Sequence, residues 1–156
     1  MTRILFVCHG NICRSPMAKF TMRELVRRAG MEDEVFVESA ATSDEEAGNP
    51  IHPRAREALR RRGIPLGEHA ARQITAADYD RYDLLIGMDG ANVSNMRRIW
   101  RGDPQGKVRL LLELAGETRD VADPWYTLDY ETALDDITRG CQALMDKLRG
   151  WKQRKT

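Results

Sequence analysis

Apolar positions along the chain come in short blocks separated by polar stretches rich in Gly and Pro. Ile4-Leu5-Phe6-Val7 is an unbroken β-branched and aromatic run followed by a polar, Gly-containing segment, which predicts a strand buried on both faces. After Ser15-Pro16 the period changes. Met17, Phe20, Leu25 and Val26 lie among charged residues, and the stretch stops near Gly30, so it reads as a helix with Pro in its first turn. Val35-Phe36-Val37 predicts a second strand, Arg54 to Arg62 a helix ended by Gly63, and Asp83-Leu84-Leu85-Ile86 a strand closed by Gly87. Asn92 to Trp100 reads as helix and Val108 to Leu112 as strand. Asp129 to Arg149 reads as a long final helix with Leu134, Ile137, Cys141, Leu144 and Leu148 in phase. Turn formers gather at Asp44 to Pro53, Gly63 to Arg72, Gly102 to Gly106 and Gly116 to Tyr126. Strands alternating with helices predict an α/β fold with a doubly wound parallel sheet. No repeat or composition break divides the chain, so residues 1–156 read as a single domain.

Composition narrows the function classes. At 156 residues and 42% hydrophobic content, one core is enough without a metal or disulfide staple. Lys and Arg number 25 against 24 Asp and Glu, a formal charge of +1, which lacks the electrostatic footprint of a nucleic-acid binder. The longest apolar runs, such as Ile4 to Cys8, fall far short of the roughly 20 residues a membrane span needs, so no membrane association is expected. Three cysteines, Cys8, Cys13 and Cys141, argue against a disulfide framework and for a reducing compartment, with the cytoplasm as the expected location. The runs Arg60-Arg61-Arg62 and Arg97-Arg98 read as solvated helix faces.

The chemistry concentrates after the first strand, in Cys8-His9-Gly10-Asn11-Ile12-Cys13-Arg14-Ser15. In an open α/β sheet, ligands sit beyond the carboxyl ends of strands, where helix N-termini offer unpaired N–H groups to anions. A thiol at the strand end and an arginine six residues on, at the helix start, let one tight loop wrap an oxyanion. Successive loop amides form a nest, and a planar guanidinium adds a bidentate pair. A helix N-terminus beside an arginine also favours the thiolate, the nucleophilic form of cysteine. Cys8 is therefore the candidate nucleophile and Arg14 the holder of the equatorial oxygens. Ser15 is placed to donate its hydroxyl to the sulfur as it leaves a thiophosphate. A bare Cys-x5-Arg is a weak pattern; a strand before it and Ser and a helix after it make it specific. Cys8, His9 and Cys13 are too crowded by their own loop for zinc, and no Cys-x2-Cys pair exists, so neither metal nor cofactor is expected. A nucleotide loop is equally absent: there is no G-x-G-x-x-G and no Walker pattern.

Val7-Cys8-His9-Gly10-Asn11-Ile12-Cys13-Arg14-Ser15-Pro16 resembles the N-terminal signature of the low-molecular-weight protein tyrosine phosphatases. Glu38-Ser39-Ala40-Ala41-Thr42-Ser43, Gly48-Asn49-Pro50, His69-Ala70-Ala71-Arg72-Gln73-Ile74-Thr75, Met88-Asp89 and Asp123-Pro124-Trp125-Tyr126 resemble further family segments in family order. The resemblance implies four parallel strands flanked by helices on both faces, and a metal-independent phosphotyrosine phosphatase. Phosphotyrosine proteins would be its substrates, and a bacterial tyrosine kinase of polysaccharide export is the kind of partner such relatives oppose. Nothing in the sequence fixes an oligomeric state.

Phosphoryl transfer from a phenol needs a proton for the departing oxygen. Two Asp-Pro pairs compete for that role. Asp103-Pro104-Gln105-Gly106 contains turn residues only, whereas Asp123-Pro124 precedes Trp125 and Tyr126, whose rings can flank a substrate ring. The resemblance to the family's Asp-Pro loop selects Asp123, and it makes Asn11, Ser39 and His69 braces of the phosphate loop. Trp125 stands where many relatives have tyrosine. Cys13 has two open readings: a partner for Cys8 in a reversible disulfide, which the resemblance supports, or simple packing beneath the loop. Cys141 reads as inert core. Three rivals share the anion loop. An arsenate reductase would need cysteines between Cys13 and Cys141. A phosphoarginine phosphatase would suit a small polar residue better than Ile12. A non-catalytic phosphotyrosine-binding module would not need Cys8, Arg14 and Asp123 together.

Overall fold

The computed structural model describes residues 1–155, with side chains through Trp151. The run Ile4 to Val7 is the centre of strand β1, Thr2–Cys8, and all four side chains are fully buried. Their alternation serves two cores. Ile4 and Phe6 face one side, and Leu5 and Val7 face the other. Strand β2, Val35–Ala41, pairs with β1 in parallel, Thr2 opposite Val35 and Cys8 opposite Ala41. On the other edge of β1 lies β3, Leu84–Gly87, and beyond it β4, Val108–Leu110, giving the all-parallel order β2-β1-β3-β4. The chain leaves β1 toward one edge and returns to its other side at β3. The ends of β1 and β3 therefore flank a topological switch point, where such sheets hold their ligands.

Helix α1, Arg14–Arg28, and the final helix cover the first face, joined by α2, Pro53–Arg61. The second face is covered by α3, Ala76–Arg81, which contributes Tyr79, and α4, Gly90–Ile99, which contributes Met96. A short α5, Pro124–Thr127, precedes α6, Tyr130–Lys155. The chain is thus one α/β layer structure of four parallel strands with helices on both faces. Among the described residues no helix is long and apolar enough to cross a membrane.

Four local readings differ from the sequence expectation. β4 ends at Leu110, and Leu111–Ala115 turns into a 3-10 helix, because Leu111 plunges into α6 where Gly140 leaves room; a Cβ on Gly140 would overlap the Leu111 side chain. The unassigned stretch after Thr75 forms α3, whose capping box has Asp78 accepting from the Thr75 amide at 2.7 Å. Asp123 starts α5 inside what reads as loop, its carboxylate accepting from the Trp125 amide at 3.0 Å. Arg62 is not a solvated charge: its guanidinium donates to Asp135 at 2.7 Å and Glu131 at 3.1 Å, tying α2 to α6. Cys141 is fully buried, and burial pushes its thiol far up, as an inert core residue requires.

Candidate active site

The segment from Cys8 to Arg14 leaves β1 and closes on the first turn of α1, at the switch point between β1 and β3. Its course is pinned from outside. Thr42 N–H donates to the Cys8 carbonyl at 2.9 Å, Ser43 gives both its amide and its hydroxyl to the His9 carbonyl, and His52 N–H donates to the Ile12 carbonyl at 2.8 Å. Asn11 turns the loop back on itself at φ 60°, the left-handed region that Asn tolerates better than most side chains. The loop amides then converge inward. Asn11 N–H donates to Cys8 Sγ at 3.3 Å, and among the described residues the amides of Gly10, Ile12 and Cys13 have no protein acceptor. Donors of this kind, gathered in a nest, suit an oxyanion.

Cys8 lies on the floor of a cavity of about 180 Å³ lined by the whole segment Cys8 to Arg14, by Glu45 and Glu46, and by Asp123, Trp125 and Tyr126. Its sulfur is 3.0 Å from the Ser15 hydroxyl. Asn11 Nδ2 donates to that same hydroxyl at 2.8 Å and to Ser39 Oγ at 2.9 Å. Since the Ser15 oxygen accepts from Asn11, its own proton can turn to the sulfur at 3.0 Å or to the more distant Ala40 carbonyl at 3.5 Å. His69 Nε2 meets the Asn11 carbonyl at 2.7 Å. Ser39 and His69 therefore touch the loop from behind and do not line the cavity.

Arg14 is only 3% exposed and sits between two carboxylates. Its Nη1 donates to Asp89 at 2.8 Å and to the Val121 carbonyl at 2.9 Å, while Nη2 donates to Asp123 at 3.4 Å. Burial opposes its charge, but Cys8, Asp123 and Asp89 together keep the guanidinium firmly protonated. The long Asp123 contact is the weakest of the three, so a phosphate oxygen can replace it at Nη2. Trp125 and Tyr126 are 56% and 82% exposed on the rim, and Trp125 meets the edge of His52 at 6.1 Å. His9 is also on the rim, paired with Glu45 at 3.0 Å. Asp103 lies elsewhere, its carboxylate held by Tyr79 and by the Lys107 and Val108 amides.

Cys13 and Cys8 are both free thiols. Cys13 Sγ turns toward Tyr130 Oη at 3.9 Å, and burial, helped by the nearby Cys8 and Asp123, pushes its thiol up to about 12. His52 stacks on Tyr130 at 5.3 Å and completes this wall.

Several residues of the site receive no role from a reading of the sequence. Asp89 anchors Arg14; the family-like Met88-Asp89 pair marks its place at the end of a strand but not this contact, and it also caps the helix through Asn92, three residues on. Arg72 supplies its amide to Asn11 Oδ1 at 3.2 Å while its guanidinium forks onto buried Asp78. Lys19 contacts His69 Nδ1 at 2.6 Å. Glu45 and Glu46 add carboxylates to the rim.

Known proteins resemble this chain in sequence and fold. A family model described as low molecular weight phosphotyrosine protein phosphatase matches residues 3–154. The low molecular weight protein-tyrosine-phosphatase YfkJ of Bacillus subtilis is 36% identical over 155 residues, 98% of this chain and 99% of that protein. Its crystal structure superposes with a TM-score of 0.94 over 97% of each chain. The low molecular weight phosphotyrosine protein phosphatase of Homo sapiens is 36% identical over 151 residues, 92% of this chain and 94% of the relative. The crystal structure of DARP, a drosophila arginine phosphatase, is 26% identical with a TM-score of 0.84 over 95% of this chain and 98% of that one. With a family model across nearly its whole length and relatives as similar as these, the chain belongs to the low molecular weight phosphotyrosine protein phosphatase family.

Proposed function

We propose that the protein hydrolyses phosphotyrosine in proteins, and small aryl phosphates, through a phosphate carried on Cys8. The observation that carries this reading is the seven-residue loop with the Cys8 sulfur at its floor, unpaired amides on its wall, and Arg14 and Asp123 at its edge. In the first step the Cys8 thiolate attacks phosphorus and the bond to the phenolic oxygen breaks. Asp123 gives its proton to that oxygen. Arg14 and the loop amides hold the three equatorial oxygens as charge spreads over them. In the second step water attacks phosphorus, Asp123 takes its proton, and the sulfur–phosphorus bond breaks with the electron pair returning to Cys8. The Ser15 hydroxyl, oriented by Asn11, donates to the departing sulfur. No step calls for a metal.

Trp125, Tyr126 and Ile12 make the cavity mouth suited to an aromatic ring. A second substrate has one observation in its favour. Glu45 and Glu46 stand on the rim, where a guanidinium would pair with them, and DARP, a structural relative, is named an arginine phosphatase. Phosphotyrosine and phosphoarginine compared side by side, with chelator, for wild type and Cys8→Ser, test the reading. Phosphotyrosine turnover that survives chelator and disappears in Cys8→Ser supports it. Preference for phosphoarginine overturns the substrate and keeps the mechanism. Turnover lost to chelator overturns the mechanism.

A further inference from the structure

Behind the loop, on the side away from the cavity, a buried cation touches an imidazole. Lys19 on α1 is 2% exposed, with its Nζ 2.6 Å from His69 Nδ1 and 3.4 Å from Glu38 Oε1. The other ring nitrogen, Nε2, meets the carbonyl of Asn11 at 2.7 Å. An ammonium has three donors and no lone pair, so Nδ1 must accept from it. The ring's single proton is then on Nε2, where it donates to the Asn11 carbonyl. The opposite tautomer would set N–H against N–H on one side and a lone pair against a carbonyl oxygen on the other. Burial, aided by the Arg23 charge, pulls the Lys19 ammonium below the ordinary lysine range, while Glu38, which also accepts from Arg23 at 3.1 Å, favours its charged form.

We propose that Lys19 is a positioning residue for the phosphate loop: it fixes His69 as the neutral Nε2–H tautomer and so anchors the left-handed turn at Asn11 independently of pH. The proposal rests on the reading of this loop as the phosphate site. The charged groups facing His69 are Lys19 and Arg23 from α1 and Glu38 from β2, while Phe20 presents a ring edge to it at 6.3 Å. Burial, opposed by the Asn11 carbonyl and aided by the Lys19 charge, holds His69 below the ordinary histidine range, in keeping with a neutral ring. Asn11 is the residue through which this anchor reaches Cys8 Sγ, Ser15 and Ser39.

The test is nitrogen NMR of His69 in the full chain between pH 5 and 8, together with inorganic phosphate affinity, for wild type, Lys19→Met and Lys19→Arg. In wild type, Nε2 carries the proton, Nδ1 is an acceptor, and the ring does not charge across this range. In Lys19→Met the ring charges within it. The ratio of variant to wild-type phosphate affinity then becomes pH-dependent by about threefold, tighter below the new midpoint, where a charged ring donates more strongly to Asn11. Lys19→Arg keeps a donor and restores the flat ratio. A proton on Nδ1 in wild type, or a ring that charges there, overturns the proposal. So does a Lys19→Met protein with unchanged His69 titration and a flat ratio. If Lys19→Met does not fold, the wild-type spectrum decides alone. If phosphate binds neither protein, the phosphate-site reading fails, and the spectrum still decides whether Lys19 sets the tautomer.

Discussion

The chain contains two Asp-Pro steps with opposite fates. Asp103 spends its carboxylate on its own neighbourhood: Oδ1 accepts from Tyr79 Oη at 2.7 Å and the Lys107 amide at 2.8 Å, and Oδ2 from the Val108 amide at 3.0 Å. Asp123 gives Oδ1 to the Trp125 amide at 3.0 Å and leaves Oδ2 with a single 3.4 Å contact to Arg14, on the edge of the cavity. Identical dipeptides thus hold one carboxylate fixed as a turn and another under-used beside a thiol. A reacting carboxylate needs an oxygen that the fold has not already satisfied.

The largest effect separating the two is expected from Asp123→Ala. Steady-state kinetics on phosphotyrosine should show kcat down about 10²- to 10⁴-fold, the usual worth of a positioned general acid. An aryl phosphate with a very acidic leaving group should lose much less. Asp103→Ala should do the reverse, leaving kcat within about twofold while urea unfolding shows a loss of roughly 1–3 kcal/mol from orphaned donors. The acid limb of stability should follow the same residue. Burial opposes ionisation of Asp103, yet the hydrogen bonds from Tyr79, Val108 and Lys107 hold its carboxyl below the ordinary value of 3.8. A lowered native pKa means the unfolded chain binds the extra proton first. This contribution to stability is therefore present above the unfolded value and lost as pH falls through the native one. Unfolding measured between about pH 2 and 6 should show a shallower acid limb for Asp103→Asn.

Asp89 combines both behaviours and gives the smallest of these effects. One oxygen caps α4 through the Asn92 amide at 2.7 Å, and the other holds Arg14 at 2.8 Å. Asp89→Asn keeps a good cap and removes the charge. KM should rise about tenfold, the cost of a lost charge-assisted bond, with little change in the urea midpoint. An unchanged KM with a lowered urea midpoint would show that Asp89 serves the fold alone.

The contrast also marks what the sequence makes legible. The run Ile4 to Val7 can be read as a two-faced strand because every one of its side chains is apolar and buried, and the Cys8 to Ser15 loop can be read because it follows that strand and opens a helix. Leu111 and Leu112 cannot be told from a continuing strand, since what turns them is the gap at Gly140, 29 positions on. Helix α3 had a readable signal in Thr75 and Asp78, a capping box too short to show periodicity. The Met88-Asp89 pair was legible by resemblance, but its hold on Arg14 shows only when β3 lies beside β1. Lys19 has no sequence signal, because a lysine on an amphipathic helix reads as exposed until β2 and the segment around His69 close over it.

The central claim is the phosphate on Cys8, and the most direct measurement is mass spectrometry of Asp123→Ala quenched in acid during turnover of an aryl phosphate with an acidic leaving group. The second step is slowed when Asp123 cannot activate water, so one phosphate should accumulate on the protein, map to the peptide containing Cys8, and be absent from the Cys8→Ser, Asp123→Ala double variant. Turnover with no such adduct, or an adduct on another residue, would contradict the account.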